Sequence, residues 1–217
     1  MKVLELFSGT HSVGKVLEKE GHEVISVDIN DYKGKFGPLT HKVDIMKFDY
    51  KQYKPGEFEI IWASPPCIYY STLQYTSVTG RPRKDGTIKT KEDVEKNMKI
   101  ADKLVKHTLK IIKYLKPKYW FLENPQTGRL KRRPVMKDIP YHDVDYCRYA
   151  DWGYRKRTRI WTNKKDFKPL LCNKKCGNMK EGNKRHKVDI GYTDQKITGG
   201  KLGRYRIPPK LIEELIL

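Results

Sequence analysis

The chain has 217 residues, 33% of them charged and 37% hydrophobic, with a formal net charge of +20. That length supports one to one and a half domains with a real core and no need for disulfide staples, and near-average glycine and proline exclude collagen-like and low-complexity classes. The excess charge is concentrated: Arg81–Lys91 carries +4, Arg129–Lys137 +5 and Arg155–Lys187 +11, so the remainder is neutral, a distribution that favours a polyanionic partner, nucleic acid above all, over an evenly solvated surface.

Lys2–Phe7 reads as a short apolar strand interrupted by Glu5 and broken by Ser8-Gly9, which does not fit a signal peptide. Val13, Val16 and Leu17 recur at helical spacing until Gly21, and His22–Ile29 is a second strand ending in Asp28. Strand, glycine turn, helix and strand within about 30 residues make a βαβ-sized opening. Phe58–Ala63 is a buried strand stopped by Ser64-Pro65-Pro66. From Glu92 to Leu115 the apolar residues Val94, Met98, Ala101, Val105, Ile112 and Leu115 share one helical face, with Thr90 as N-cap and Pro117 forbidding continuation. Tyr119–Leu122 is the next strand, after which Glu123-Asn124-Pro125 turns out of the sheet, and Val144–Tyr149 and Arg159–Thr162 are two more. No apolar run approaches the ~18 residues of a membrane span. Four cysteines without an export signal suit a reducing compartment, so a cytoplasmic, monomeric protein is expected. The alternation predicts an α/β fold, Rossmann-like, with a mostly parallel sheet and helices on both faces.

Ligands of such sheets bind at the carboxyl ends of the strands. Phe7-Ser8-Gly9, Asp28, Pro65-Pro66-Cys67 and Glu123-Asn124 all fall there, which makes one site. The glycine lets a ligand approach the backbone, and Asp28 can accept two hydrogen bonds from ribose hydroxyls. Cys67 follows two rigid prolines, where an electropositive setting would favour thiolate; its plain alternative is a small buried hydrophobe. Glu123 follows Tyr-Trp-Phe-Leu, an apolar flank that suits an acid, or else it caps a helix or pairs with a base.

Taken together, Leu4-Glu5-Leu6-Phe7-Ser8-Gly9, Ser64-Pro65-Pro66-Cys67 with Tyr70-Ser71 behind it, Glu123-Asn124 and Arg155-Lys156-Arg157-Thr158-Arg159 resemble the motifs of C5-cytosine DNA methyltransferases, over Met1 to about Asn163. Arg204–Leu215 resembles that family's closing segment. The resemblance implies a catalytic domain over residues 1–163 and S-adenosylmethionine as cofactor. Phe7, Ser8, Gly9, Thr10 and Pro65 would line it, Asp28 with Ile29 would hold its ribose end, and Asp44 with Ile45 its adenine. It further implies that Cys67 adds to cytosine C6, that Glu123 hydrogen-bonds N3, that Arg159 holds O2 with help from Arg157, and that Pro66, Asn124 and Ser71 touch the substrate. Its biological setting would be restriction–modification or viral DNA modification.

Only Lys164–Gly203 stands where that family places its target-recognition domain, before residues 204–217 return to the catalytic domain. Weakly specific duplex DNA, single-stranded DNA and RNA therefore stay open as substrates, while the basic blocks count against a free nucleotide. Within that stretch Cys172-x3-Cys176-x9-His186 has metal-ligand spacing, and Cys147 would supply a fourth ligand to a structural zinc ion; the plain alternative is surface thiols in a loop. Two other readings of the whole chain remain: an amino-methyltransferase acting on cytosine N4 or adenine N6, and a non-catalytic nucleic-acid-binding relative. Cys67 argues against the first, because amino transfer needs no nucleophile at that place.

Overall fold

The computed structural model describes residues 1–76, 78–82, 86–182, 184–190 and 200–217. The centre of the Arg81–Lys91 block and residues 191–199 of the Lys164–Gly203 stretch lie outside the described residues. The strands are β1 (Lys2–Leu6), β2 (Glu23–Asp28), β3 (His41–Lys42), β4 (Ile60–Ala63), β5 (Tyr119–Pro125), β6 (Tyr141–Asp145) and β7 (Arg157–Thr162), which form one sheet in the order β3-β2-β1-β4-β5-β7-β6. The first five in that order are parallel, whereas β7 runs antiparallel to both β5 and β6.

Helices cover both faces. On one, α3 (Lys91–Leu115), preceded by the single turn α2 (Leu73–Thr76), packs Val94, Met98, Ala101, Val105 and Leu115 against Leu4, Leu6, Ile61 and Leu122. Its start is a capping box in which the Thr90 hydroxyl accepts from the Asp93 N–H and the Asp93 carboxylate accepts from the Thr90 N–H. On the other face, α1 (Ser12–Lys19) contributes Val13 and Leu17. After the single turn α4 (Gly200–Gly203), the closing helix α5 (Pro209–Ile216) adds Leu211, Ile212 and Leu215 to Val3, Ile60, Trp62 and Phe121. The fully buried tryptophans are Trp62 and Trp161.

Register places the site. Leu6 lies opposite Ala63, and Ala63 opposite Leu122, so β1, β4 and β5 deliver Phe7, Ser64 and Glu123 to one edge. Two boundaries differ from the sequence reading. β5 does not stop at Leu122: Glu123, Asn124 and Pro125 stay in the strand because Ile160, Arg159 and Thr158 of β7 pair with them. The expected strand Val144–Tyr149 ends at Asp145, and Tyr146–Arg148 is a 3-10 turn whose first amide donates to the Lys156 carbonyl.

Candidate active site

The turn after β1 is built on a buried carboxylate. Glu5, only 2% exposed, accepts from the Ser8 hydroxyl at 2.8 Å, from His11 Nδ1 at 2.7 Å and from the Val13 N–H at 3.1 Å. The last bond satisfies a free amide at the start of α1, a cap supplied by the neighbouring strand because His11 makes no side-chain cap. His11 also meets Glu18 at 3.1 Å, and its ring lies over Gly14, where a Cβ would stand 2.0 Å from the imidazole. Burial opposes the imidazolium, but Glu5 and Glu18 outweigh it and hold the His11 pKa above its ordinary value. Phe7, Gly9 and His11 all take positive φ, which curls the turn around its own amides.

The Gly9 N–H donates to the Asp28 carboxylate at 2.8 Å, and the Asn30 N–H donates to its other oxygen at 2.8 Å. Desolvation pushes the Asp28 pKa up despite these bonds. Ile29 beside it is 60% exposed, an apolar side chain held out at the strand edge. The Asp44 carboxylate accepts from the Met46 N–H at 2.9 Å, while the Ile45 side chain is buried in the core. Thr10 is buried against Ser12.

Cys67 sits just past β4 and is part-buried. Its thiol pKa is raised, chiefly by burial and then by the Glu123 charge, with Lys156 and Arg204 opposing. This reverses the expectation of a thiolate-favouring pocket: burial outweighs the nearby cations. It also shows Cys67 and Glu123 at one place. Pro65 is buried and its carbonyl accepts from Asn124 Nδ2 at 2.9 Å, which ties the Pro-Pro-Cys segment to β5. Asn124 thereby holds the cysteine loop, while its buried Oδ1 has no hydrogen-bond partner among the described residues. Ser71 accepts from the Leu73 N–H and starts α2. Pro66 is exposed beside Cys67.

Glu123 is 6% exposed and has two partners among the described residues: the Tyr146 hydroxyl donates to it at 3.2 Å, and Lys156 Nζ stands 3.4 Å away. Lys156 also lies over the Tyr146 ring, 4.8 Å from its centroid. Arg157 and Arg159 do not join this group. Strand alternation turns them to the face opposite Glu123. There Asp145 binds Arg157 at 2.7 and 3.0 Å, and Asp143 binds Arg159 at 2.7 and 2.9 Å. Arg159 in addition stacks 3.4 Å above the Tyr141 ring. The expected arginine contact to the base is thus corrected by register: the cation beside Glu123 is Lys156. In the Arg129–Lys137 block, Arg133 is similarly committed, to Asp102 and Glu95.

Cys147, Cys172, Cys176 and His186 come together, with all four ligand atoms within 4.8 Å of one another. Cys172 Sγ is 3.6 Å from Cys176 Sγ and 3.5 Å from His186 Nε2, and Cys176 Sγ is 3.4 Å from the same nitrogen. The edges of a tetrahedral zinc site with Zn–S near 2.3 Å are about 3.5–3.8 Å. Sequence reasoning missed Glu5, His11, Asp145, Tyr146 and Lys156. Glu5 carried a signal, an acid inside an apolar strand; the others act through pairings that only the fold creates.

A family profile for C-5 cytosine-specific DNA methylases matches residues 1–139. Over its whole length the chain is 41% identical to 99% of a frog virus 3 (isolate Goorha) protein carrying the name "Probable DNA (cytosine-5)-methyltransferase". Among solved structures, a prophage-encoded E. coli protein carrying the name "putative DNA modification methyltransferase" superposes on 80% of the chain with a TM-score of 0.50 at 15% identity, which speaks to the fold alone. A Spodoptera frugiperda DNMT2 mutant superposes on 78% with a TM-score of 0.45 at 18% identity. The chain spans 52% and 53% of the lengths of those two.

Proposed function

Because the chain belongs to the C-5 cytosine-specific DNA methylase family, we propose that it methylates C5 of cytosine in DNA through a covalent bond between Cys67 and C6. The observation that carries this reading is the meeting of Cys67 and Glu123, brought by separate strands to the carboxyl edge of the sheet. S-adenosylmethionine supplies the electrophilic methyl group when bound. The residues present fit that cofactor: Phe7, Ser8, Gly9 and Thr10 form the open turn, Asp28 offers acceptor oxygens at its rim, exposed Ile29 offers an apolar face, and Asp44, the Ile45 backbone and Pro65 border the same edge.

Cytosine C5 is a poor nucleophile while the ring is aromatic. Addition of the Cys67 sulfur to C6 breaks that aromaticity and leaves C5 enamine-like. Glu123, protonated when the base binds, donates a hydrogen bond to N3 and so stabilises the negative charge that develops there, with Tyr146 and Lys156 holding its carboxyl in place. Loss of the C5 proton afterwards restores the C5–C6 double bond and expels the cysteine. The cytosine reaches these groups unpaired or flipped from the duplex.

Cys147, Cys172, Cys176 and His186 hold one structural zinc ion; thiolate and imidazole are the donors zinc prefers, and the distances among Cys172, Cys176 and His186 match the edges of its tetrahedron. Exposed Lys174, Lys175, Lys180 and Lys184 on the same stretch face DNA phosphates. No helix among the described residues is long and apolar enough to cross a membrane. The protein acts as a monomer on DNA inside the cell.

The test is methyl transfer from labelled cofactor to duplex DNA, single-stranded DNA, RNA and dCMP side by side, with product digestion. Label in 5-methylcytosine from DNA supports the reading. Label in N4-methylcytosine or N6-methyladenine, or none on any substrate, ends it. Metal analysis of protein purified without added zinc should find about one equivalent.

A further inference from the structure

Three consecutive side chains connect the two centres. Asp145, fully buried, accepts from the Arg157 guanidinium and, at 2.8 Å, from the Cys172 N–H. Tyr146, 1% exposed, donates its hydroxyl to Glu123. Cys147 is one corner of the Cys3His cluster. The cysteine-rich stretch grips the following segment as well: Asn178 Nδ2 donates to the Cys147 and Ala150 carbonyls, and its Oδ1 accepts from the Gly153 N–H.

We infer that the metal cluster is a latch on the active-site carboxylate, and that Tyr146 is the positioning residue through which it acts. The inference rests on the reading of Glu123 and of the zinc ligands given above. Tyr146–Arg148 is a single 3-10 turn, and such a short turn has too few bonds of its own to fix a side chain. What fixes it lies outside: the core packing of the Tyr146 ring, the Lys156 carbonyl on its first amide, the Asp145 bonds before it and the cluster after it. A bound ion draws three sulfurs and one imidazole to a common point and so locks Cys147. Without it the Cys147 end of the turn is released, and the Tyr146 hydroxyl loses its alignment with the carboxylate while the ring stays in the core. Glu123 then keeps only Lys156, which also sits against the Tyr146 ring.

The experiment compares wild type and Tyr146→Phe, each as purified and after chelation, measuring zinc content, thermal midpoint, kcat and KM for DNA. Phenylalanine keeps the ring and removes only the hydroxyl. Loss of one hydrogen bond to a charged group predicts a fall in kcat of about tenfold or more, with KM and zinc content close to wild type and the thermal midpoint lower by only a few degrees. Chelated wild type falls by a similar factor and recovers on adding zinc. Chelated Tyr146→Phe falls no further, since both changes remove the same contact. Full kcat in Tyr146→Phe overturns the inference, as do losses that multiply. Either result leaves the reading beneath it standing, whereas a wild-type preparation that carries no zinc or does not methylate removes that reading and the inference with it.

Discussion

Replacing Glu5 by glutamine removes one charge from the cofactor turn and changes almost no volume. The carboxylate now accepts from Ser8, His11 and Val13. A carboxamide has one acceptor oxygen, and its NH2 must face at least one of those donors in this buried setting. An unsatisfied buried donor costs about 1–3 kcal/mol, and breaking a buried charge pair about 3–5 kcal/mol. His11 stands nearly enclosed beside Glu5, so a loss of about 4 kcal/mol is expected, with a drop in thermal midpoint of roughly 10 °C for a chain of this size. The His11 pKa is raised in the folded protein. Its stabilisation is therefore complete below the ordinary imidazole value of 6.5 and is lost as pH climbs through the raised one. The gap between wild type and Glu5→Gln in urea unfolding should accordingly be widest at pH 6 and narrow steadily as the solution is made alkaline. A loss under 1 kcal/mol, or a gap that widens with pH, would refute the ionic account of this turn.

Four further outcomes follow from the same structure. Gly14→Ala drives a methyl group into the His11 ring and should weaken S-adenosylmethionine binding by calorimetry, while an alanine at solvent-facing Lys15 on the same helix should not. Alkylation of Cys67 by iodoacetamide should be slow at pH 7 and accelerate only above the ordinary thiol value of 9.0, because burial and Glu123 raise its pKa; fast labelling at pH 7 contradicts that environment. Asn124→Leu removes the tie to the Pro65 carbonyl and should lower the rate of methyl transfer at least tenfold with the fold intact by circular dichroism. Arg159→Ala leaves Asp143 without its partner and should cost about 2–4 kcal/mol in stability; unchanged stability with lost DNA binding would return Arg159 to the substrate.

Much of the site was legible because its signals are local. Glycine after β1, acid after β2 and proline-proline-cysteine after β4 are strand-end punctuation, and parallel pairing places all such ends on one edge. Cys172, Cys176 and His186 were equally readable, since a metal site is written in short spacings. The capped helix α3 followed from Thr90 and a clear apolar stripe. What the sequence hid depends on distant pairing. Tyr-Cys-Arg-Tyr after Asp145 has the aromatic content of a strand, yet the Lys156 carbonyl and the cysteine cluster bend it into a turn. The two motif arginines looked like base contacts, but which face of β7 they occupy is set by its register against β5 and β6, and one residue of register exchanges Arg159 for Lys156. The Cys67 environment was open between a thiolate setting and burial, because a strand-end position does not tell how deeply the sulfur is buried.

The central claim is that one sulfur adds to the pyrimidine ring. Duplex and single-stranded DNA carrying 5-fluorocytosine, which cannot lose a C5 proton after methylation, tests it directly. Incubated with S-adenosylmethionine, the wild-type protein should form an adduct that survives denaturing electrophoresis and maps to Cys67 by mass spectrometry, and Cys67→Ala should form none. Methylation of ordinary cytosine by Cys67→Ala at the wild-type rate, or an active wild-type protein that is never trapped on either substrate, would contradict the account.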